Sequence, residues 1–336
     1  MNTKEEILKR LRQSDGYLSG EQLSEALGIS RAAVWKNITA LREAGYGVDS
    51  VTNRGYRLTA VPDLLTPEEV AYGLRAKVLG SRIVSLAEVD STNEEAKRRA
   101  QQGAPDGSVF IAERQTGGKG RLGRRWESPE GTGVWFSVLL RPGLVPSEIS
   151  SITLLAGIAV CRAIRALTGC PAVIKWPNDV VIGSRKVCGI LTEMTAEVDR
   201  VEYVVLGIGI NANMESFPEE LAEKATSLRR EAGKPFPRAA ILRTVLGELE
   251  PLLNSAKSGG LSSILEEYKA LCVSLNRRVG FFYGGKQQTG TAVDVSPSGE
   301  LVVERDNGDR IAVNAGEVVV QGIYGQTLPG GPEEAI

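Results

Sequence analysis

The chain has 336 residues, 42% hydrophobic and 24% charged, which is too long for one ordinary core and has the composition of globular domains rather than of a disordered chain. A formal net charge of −1 excludes a global basic field, and the lack of any histidine excludes Ser–His and Cys–His nucleophile pairs and histidine-held metals. Four widely spaced cysteines (Cys161, Cys170, Cys188, Cys272), a charged first turn and a longest apolar run of only 152–161 predict buried free thiols, no signal peptide and no membrane partner, hence a cytoplasmic protein.

Residues 1–60 carry nine Lys and Arg against seven Asp and Glu, a net +2, while the remaining 276 residues come to −3. Ile7, Leu8 and Leu11 recur at helical spacing. Ser19 with Gln22 reads as a capping box opening a short helix, and Gly28-Ile29-Ser30 as a tight turn whose serine can cap a further helix over 31–43. Val34, Ile38 and Leu41 would face inward. Residues 46–58 alternate around Thr52-Asn53-Arg54-Gly55, as a hairpin does. That order is a winged helix-turn-helix, expected over 1–61, with a helical packing or protein-binding module as the plainer alternative. Its second helix and wing offer Ser30, Arg31, Ala32, Trp35, Lys36, Asn37 and Arg54 to phosphates and base edges, with Thr39 and Arg42 on the same helix.

Two prolines in 60–67 mark a linker, and the pattern beyond predicts an α+β domain over 66–272. Helices are expected over 91–102, 147–167, 238–253 and 261–271, and strands over 109–113, 134–140, 173–176, 186–193 and 201–210. A glycine-rich loop fills 115–133 and a polar connection fills 216–237. From 276 to 324 short strands turn at Gly284-Gly285, at Ser296 to Gly299 and at Asp306 to Asp309, the spacing of a small SH3-like barrel, expected over 273–325 with a flexible tail at 326–336.

The chemistry concentrates in Gly117-Gly118-Lys119-Gly120-Arg121-Leu122-Gly123-Arg124-Arg125-Trp126. Gly118, Gly120 and Gly123 match a dinucleotide-binding spacing, but Ser128-Pro129 and further glycines follow where that motif needs a helix, and no P-loop pattern occurs anywhere. What the segment can do is offer backbone N–H groups and guanidiniums to a polyanion, and such a loop should order around an anionic ligand. A solvated basic loop is the plain alternative.

Four further clusters follow in order: Ser91-Thr92-Asn93 at a helix start, where N-capping is the plain role, Lys175-Trp176-Pro177-Asn178-Asp179, Lys186-Val187-Cys188-Gly189-Ile190-Leu191 ending at Glu193, and Gly207-Ile208-Gly209-Ile210-Asn211. Glycines inside a strand imply close approach by a ligand or backbone. Together with the basic loop, these resemble the ordered motifs of biotin–protein ligases, and the added head makes the chain similar to the bifunctional form that is also the biotin-operon repressor. One departure is Lys119, where the family usually has arginine; charge is kept and the planar fork is lost.

The resemblance implies a central mixed-sheet domain related to class II synthetases. It implies that biotin's carboxylate attacks the α-phosphate of ATP, and that an acceptor lysine then attacks the mixed anhydride. It implies Lys186, Arg121 and Lys119 as catalytic residues. Biotin contacts would come from Ser91, Thr92, Asn93, Gln115, Lys119, Gly120, Arg121, Lys186 and Gly189. Nucleotide contacts would come from Arg121, Arg124, Trp126, Asn178, Asp179 and Asn211, with Mg²⁺ on the phosphates and Asp179 as a weak helper. The implied partners are the biotin carboxyl carrier domain of a carboxylase, palindromic operator DNA and a second copy of the chain when adenylate is bound. A lipoate-type ligase and a non-enzymatic ligand-sensing repressor are the alternatives.

Overall fold

In the computed structural model, which describes residues 3–143, 145–196, 201–259, 262, 264–314 and 318–328, the head consists of α1 (Thr3–Gln13), α2 (Gly20–Leu27), α3 (Arg31–Glu43) and an antiparallel hairpin of β1 (Gly47–Val51) and β2 (Gly55–Ala60). Ser19 and Gln22 form the reciprocal capping box, at 2.8 and 3.0 Å. Gly28 ends α2 at φ 63°, a left-handed turn that a Cβ resists, and Ser30 caps α3 by accepting from the Ala33 N–H at 3.2 Å. Ile7, Leu8, Leu11, Leu23, Val34, Ile38 and Leu41 close one small core with Tyr46 and Val48. Met1–Leu64 and Leu65–Ile336 are separate compact units.

The second unit starts with α4 (Pro67–Ala71), capped by Thr66 with Pro67 in its first turn. Then come β3 (Ile83–Val89), α5 (Thr92–Gln101), β4 (Val109–Gln115), β5 (Gly133–Leu140), α6 (Ile149–Thr168), β6 (Val173–Lys175), β7 (Asp179–Ile182), β8 (Arg185–Ala196) and β9 (Val201–Asn211). The strands form one seven-stranded mixed sheet in the order β3-β4-β5-β9-β8-β7-β6, parallel only at β3–β4. After α7 (Leu228–Ala232), α8 (Arg238–Gly259) packs on α6 and, with α9 (Leu265–Leu271), covers one sheet face. On the opposite face Ala96 and Ala100 of α5 rest on Phe110, Leu139 and Val205. Helix α6 is apolar and long enough to span a membrane by composition, yet most of it is buried in this core, and its length exceeds the ten-residue run visible in the sequence.

The C-terminal module is an all-antiparallel sheet of β10 (Arg278–Tyr283), β11 (Lys286–Val295), β12 (Leu301–Glu304), β13 (Arg310–Val313) and β14 (Val319–Val320), in the order β13-β12-β11-β10-β14. Its turns fall at the three expected places. Strand β3, helix α4 and strand β7 went unread in the sequence; of the helix expected over 261–271, α9 covers Leu265–Leu271, and residues 261 and 263 lie outside the described residues. Residues 329–336 of the expected flexible tail lie outside the described residues. All four cysteines are free and buried, and burial pushes the Cys161 thiol up to about 12.

Candidate active site

The site is laid out by strand register. Ser137 on β5 sits opposite Gly207 on β9, which sits opposite Leu191 on β8; one pleat along, Trp135, Gly209 and Gly189 form the next row. Directly paired residues share a face, so two adjacent glycines clear a floor on the sheet. The Trp126 indole lies on that floor. A Cβ on Gly209 would fall 2.6 Å from Trp126 Nε1, and one on Gly189 would fall 2.9 Å from its ring. Trp135 meets Trp126 edge-on, with centroids 6.2 Å apart. The close approach expected of the glycines is thus made by side chains of the chain itself.

Polar groups ring the floor. The Gln115 Oε1 accepts from the Thr92 N–H and hydroxyl at 2.8 and 3.1 Å, and its amide donates to Ser128 at 2.8 Å. The Asn93 amide donates to Glu193 at 2.7 Å, and its oxygen lies 2.5 Å from the Ser137 hydroxyl. Lys97 links Glu193 to Glu94, and Glu94 accepts from Lys119 of the basic loop at 2.7 Å. The Lys119 bond first, then Lys97, holds the Glu94 carboxyl below its ordinary value. Ser91 is at the N-cap of α5 but makes no capping bond, so its plain role is not realised.

The basic loop is folded back on itself. Gly120 N–H donates to the Arg124 carbonyl at 2.7 Å, and Trp126 N–H to the Gly118 carbonyl at 2.9 Å. Only a single 3₁₀ turn, Arg121–Gly123, interrupts it, with Leu122 left-handed at φ 57°. Rejecting the dinucleotide motif agrees with this, because no α-helix follows.

Two cavities adjoin along this loop. The smaller, about 50 Å³, is lined by Ser91, Thr92, Asn93, Gln115, Lys119, Gly120, Arg121, Lys186 and Gly189 among others. The larger, about 420 Å³, is lined by Arg121, Arg124, Trp126, Asn178, Asp179 and Asn211, and by Met214, Phe217, Leu221 and Ala225 of the 216–237 region and its approach. Gly120, Arg121, Trp126, Asn178 and Lys186 belong to both. Every residue singled out for the two ligands therefore converges on one place.

Lys186 stands at the junction. Its ammonium is 2.5 Å from Asp179 Oδ1 and 5.1 Å from the Trp126 ring centroid. Burial opposes the Asp179 carboxylate, but Lys186, Lys175 and a hydrogen bond from Tyr324 hold it below its ordinary value. Asn178 accepts from Arg121 at 3.0 Å and donates to the Ile190 carbonyl at 3.1 Å. Asn211 is buried and donates to the Thr226 carbonyl at 3.0 Å. Glu94, Ser137 and Tyr324 escaped the sequence reading. Glu94 adjoins a recognised motif and was within reach; Ser137 and Tyr324 enter only through pairing between distant segments.

On the head, Arg31, Ala32, Trp35 and Lys36 are exposed along α3, with Trp35 60% exposed. Asn37 is turned back onto the Ala33 carbonyl at 2.8 Å. Arg42 is exposed as well, and its guanidinium donates to the Val48 carbonyl at 2.8 and 3.0 Å, tethering the hairpin. Arg54 and Arg57 lie over the Tyr17 ring, at 4.6 and 4.8 Å.

A helix-turn-helix head and a mixed-sheet domain whose basic loop borders two adjoining cavities define a two-part class of protein. Family models agree segment by segment: an HTH domain over 3–57, the biotin/lipoate A/B protein ligase family over 86–211, and the biotin protein ligase C-terminal domain over 274–320. The chain is 40% identical to the bifunctional ligase/repressor BirA of Bacillus subtilis, over 87% of this chain and 90% of that one. It is 32% identical to the protein of the same name from Escherichia coli, over 86% and 89%. Among solved structures it is similar to the biotin protein ligase of Aquifex aeolicus in complex with biotin and ATP, at TM-score 0.64 and 31% identity, covering 72% of this chain and 99% of that one. The chain belongs to the family of bifunctional biotin ligase/repressors.

Proposed function

We propose that the chain is an ATP-dependent biotin–protein ligase and a biotin-responsive repressor of biotin genes. The observation that carries this is the pair of adjoining cavities with Lys186 at their junction. The smaller takes biotin's ring system over the glycine floor, held by Ser91, Thr92, Asn93, Gln115, Lys119, Gly120, Arg121 and Gly189. The larger takes ATP, with Arg121, Arg124, Trp126, Asn178, Asp179 and Asn211 around it and the 216–237 region folded over the adenylate. Biotin's carboxylate oxygen attacks the α-phosphorus, pyrophosphate leaves, and the acceptor lysine's amine then displaces AMP from the acyl carbon. No protein nucleophile is needed. Lys186, Arg121 and Lys119 align the reactants and neutralise charge that grows on phosphate and carboxylate.

Mg²⁺ would enter on the phosphates of ATP. Asp179 is the carboxylate beside Lys186 at that place, and its oxygens are already engaged by Lys186 and Tyr324. No cluster of three metal-ligating side chains occurs among the described residues. This donor set fits a metal held mainly by substrate phosphates.

The finer architecture is read as a winged helix-turn-helix over 1–61, a catalytic domain over 66–272 related to class II synthetases, and an SH3-like barrel over 273–325, in a cytoplasmic protein. The partners are the biotin carboxyl carrier domain of a carboxylase and, for the adenylate-bound homodimer, palindromic operator DNA. A dimer places two α3 helices on two half-sites. Exposed Arg31 and Lys36 support phosphate contacts, with Ser30, Ala32, Trp35, Asn37 and Arg54 alongside. Arg31→Ala with Lys36→Ala is expected to weaken operator binding and to lower the slope of log affinity against log salt by about two. An unchanged slope in a salt titration removes both residues from the DNA face.

The assignment is tested by ATP–pyrophosphate exchange with biotin, with lipoate, or with neither. Exchange with biotin alone is expected; exchange with lipoate alone makes the chain a lipoate-type ligase, and none leaves a non-enzymatic sensor. One optical prediction accompanies it. The Trp126 indole N–H is buried without a hydrogen-bond partner, an arrangement that costs about 1–3 kcal/mol. The indole lies over Gly189 and Gly209, on the floor that biotin's ring system would occupy. Biotin should shift the tryptophan emission of the wild type and leave that of Trp126→Phe unchanged; the same shift in both proteins refutes the displacement.

A further inference from the structure

The C-terminal module reaches the ligase site at Val318, Tyr324 and Gln326, which line the larger cavity. Tyr324 follows β14, in a left-handed conformation at φ 58° that a non-glycine residue seldom adopts. Its backbone N–H donates to the Ser184 carbonyl, between β7 and β8, at 3.0 Å. Its ring lies 5.2 Å from the Lys175 ammonium, which donates to the Val318 carbonyl of the same module at 3.0 Å. Its hydroxyl donates to Asp179 Oδ2 at 2.8 Å, and Tyr324 lines the larger cavity.

The arrangement gives the two oxygens of the Asp179 carboxylate different donors. Oδ2 is held by Tyr324, and Oδ1 is left to Lys186, with the Asn178 amide at 3.2 Å. With Oδ2 held, the carboxylate cannot rotate and carry Lys186 with it. When Lys186 moves toward a substrate carboxylate, Asp179 still keeps a donor, so a buried anion is not stranded. We propose that Tyr324 is a positioning residue of the ligase site, its hydroxyl fixing the Asp179 carboxylate and, through it, Lys186. This rests on the ligase reading above. It also assigns the C-terminal module a part in the first half-reaction that the packing of its sheet alone does not require.

The test uses the full-length protein and its biotin-dependent ATP–pyrophosphate exchange. Tyr324→Phe keeps the ring over Lys175 and removes only the hydroxyl. It is expected to lower exchange turnover roughly tenfold, with KM for biotin and ATP within about twofold and the melting temperature retained. The same replacement in an Asp179→Asn background should lose little more, because the hydroxyl acts through Asp179. Tyr324→Ala controls for packing. Phenylalanine behaving as wild type while alanine fails makes the ring structural and overturns the proposal. Equal fractional losses in the wild-type and Asp179→Asn backgrounds also overturn it. A wild type without biotin-dependent exchange rejects the ligase reading and this proposal with it, whereas an active wild type matched by Tyr324→Phe rejects the positioning role alone.

Discussion

Lys186→Ala is expected to abolish measurable adenylate formation, with a loss of about a thousandfold or more in biotin-dependent exchange and little change in the melting curve. The two halves of that expectation come from different atoms of one residue. The backbone of Lys186 ties β8 to the 216–237 region: its N–H donates to the Lys224 carbonyl at 2.8 Å and its carbonyl accepts from Thr226 at 2.9 Å. Alanine keeps both bonds. The side chain is a quarter exposed and stands between Asp179, the Trp126 ring and the two cavities. Removing it leaves Asp179 beside Lys175 and Tyr324, so the carboxylate keeps favourable neighbours and the fold is spared. The reaction is not spared, because two anions must then approach each other with one cation fewer in a site partly shielded from water. Near-normal pyrophosphate exchange in a well-folded Lys186→Ala protein refutes the role. Loss of exchange together with loss of the cooperative melt leaves Lys186 as a structural residue instead.

How far the sequence reaches depends on the range of the interaction. In the head almost everything is local. Ser19 and Gln22 lie three apart, Gly28 and Ser30 flank one turn, and the apolar residues of α3 repeat at helical spacing, so caps, helices and hairpin could all be read directly. Arg42 is the exception, because its bond to the hairpin backbone joins two elements and no local pattern announces it. The central sheet was harder. Strand β3 is an edge strand whose residues are half-buried or exposed in no clean alternation, so no period marks it. Helix α4 spans five residues, and its Thr66-Pro67 start was the only sign of it. The site's residue types were legible because each motif is contiguous. Their partners were not: Asn93 meets Glu193, Arg121 meets Asn178, and Tyr324 meets Asp179 across gaps of up to 145 residues. No spacing rule spans such distances. The strand glycines show the limit well, since composition announced a close approach without saying what approached.

Gly207 answers that question with a number, and its replacement should have the second large effect. Gly207→Ala is expected to weaken biotin binding about a hundredfold and to lower stability by about 1–3 kcal/mol through overpacking. The added Cβ would lie 2.9 Å from Asn93 Cγ and 3.0 Å from Nδ2, with Oδ1 closer still. Real Cβ atoms do not come so near, and Gly207 is not left-handed, so the conflict is steric and not conformational. Asn93 has nowhere to go: it is 4% exposed, its amide is held by Glu193 and the Leu191 carbonyl, and its oxygen is held by Ser137. Either the strand shifts or Asn93 turns and abandons those bonds, and both outcomes spoil the polar end of the smaller cavity. A second substitution separates the two consequences. Asn93→Ala in the Gly207→Ala background opens the space the methyl needs, so the melting temperature should recover part of its loss. Biotin affinity, measured by calorimetry, should not recover, because the asparagine itself is the lost contact. If Gly207→Ala binds biotin and melts like the wild type, Asn93 is free to move and is not a fixed part of the site. If the double variant regains biotin affinity as well as stability, the damage was to the strand alone and Asn93 does not hold the ligand.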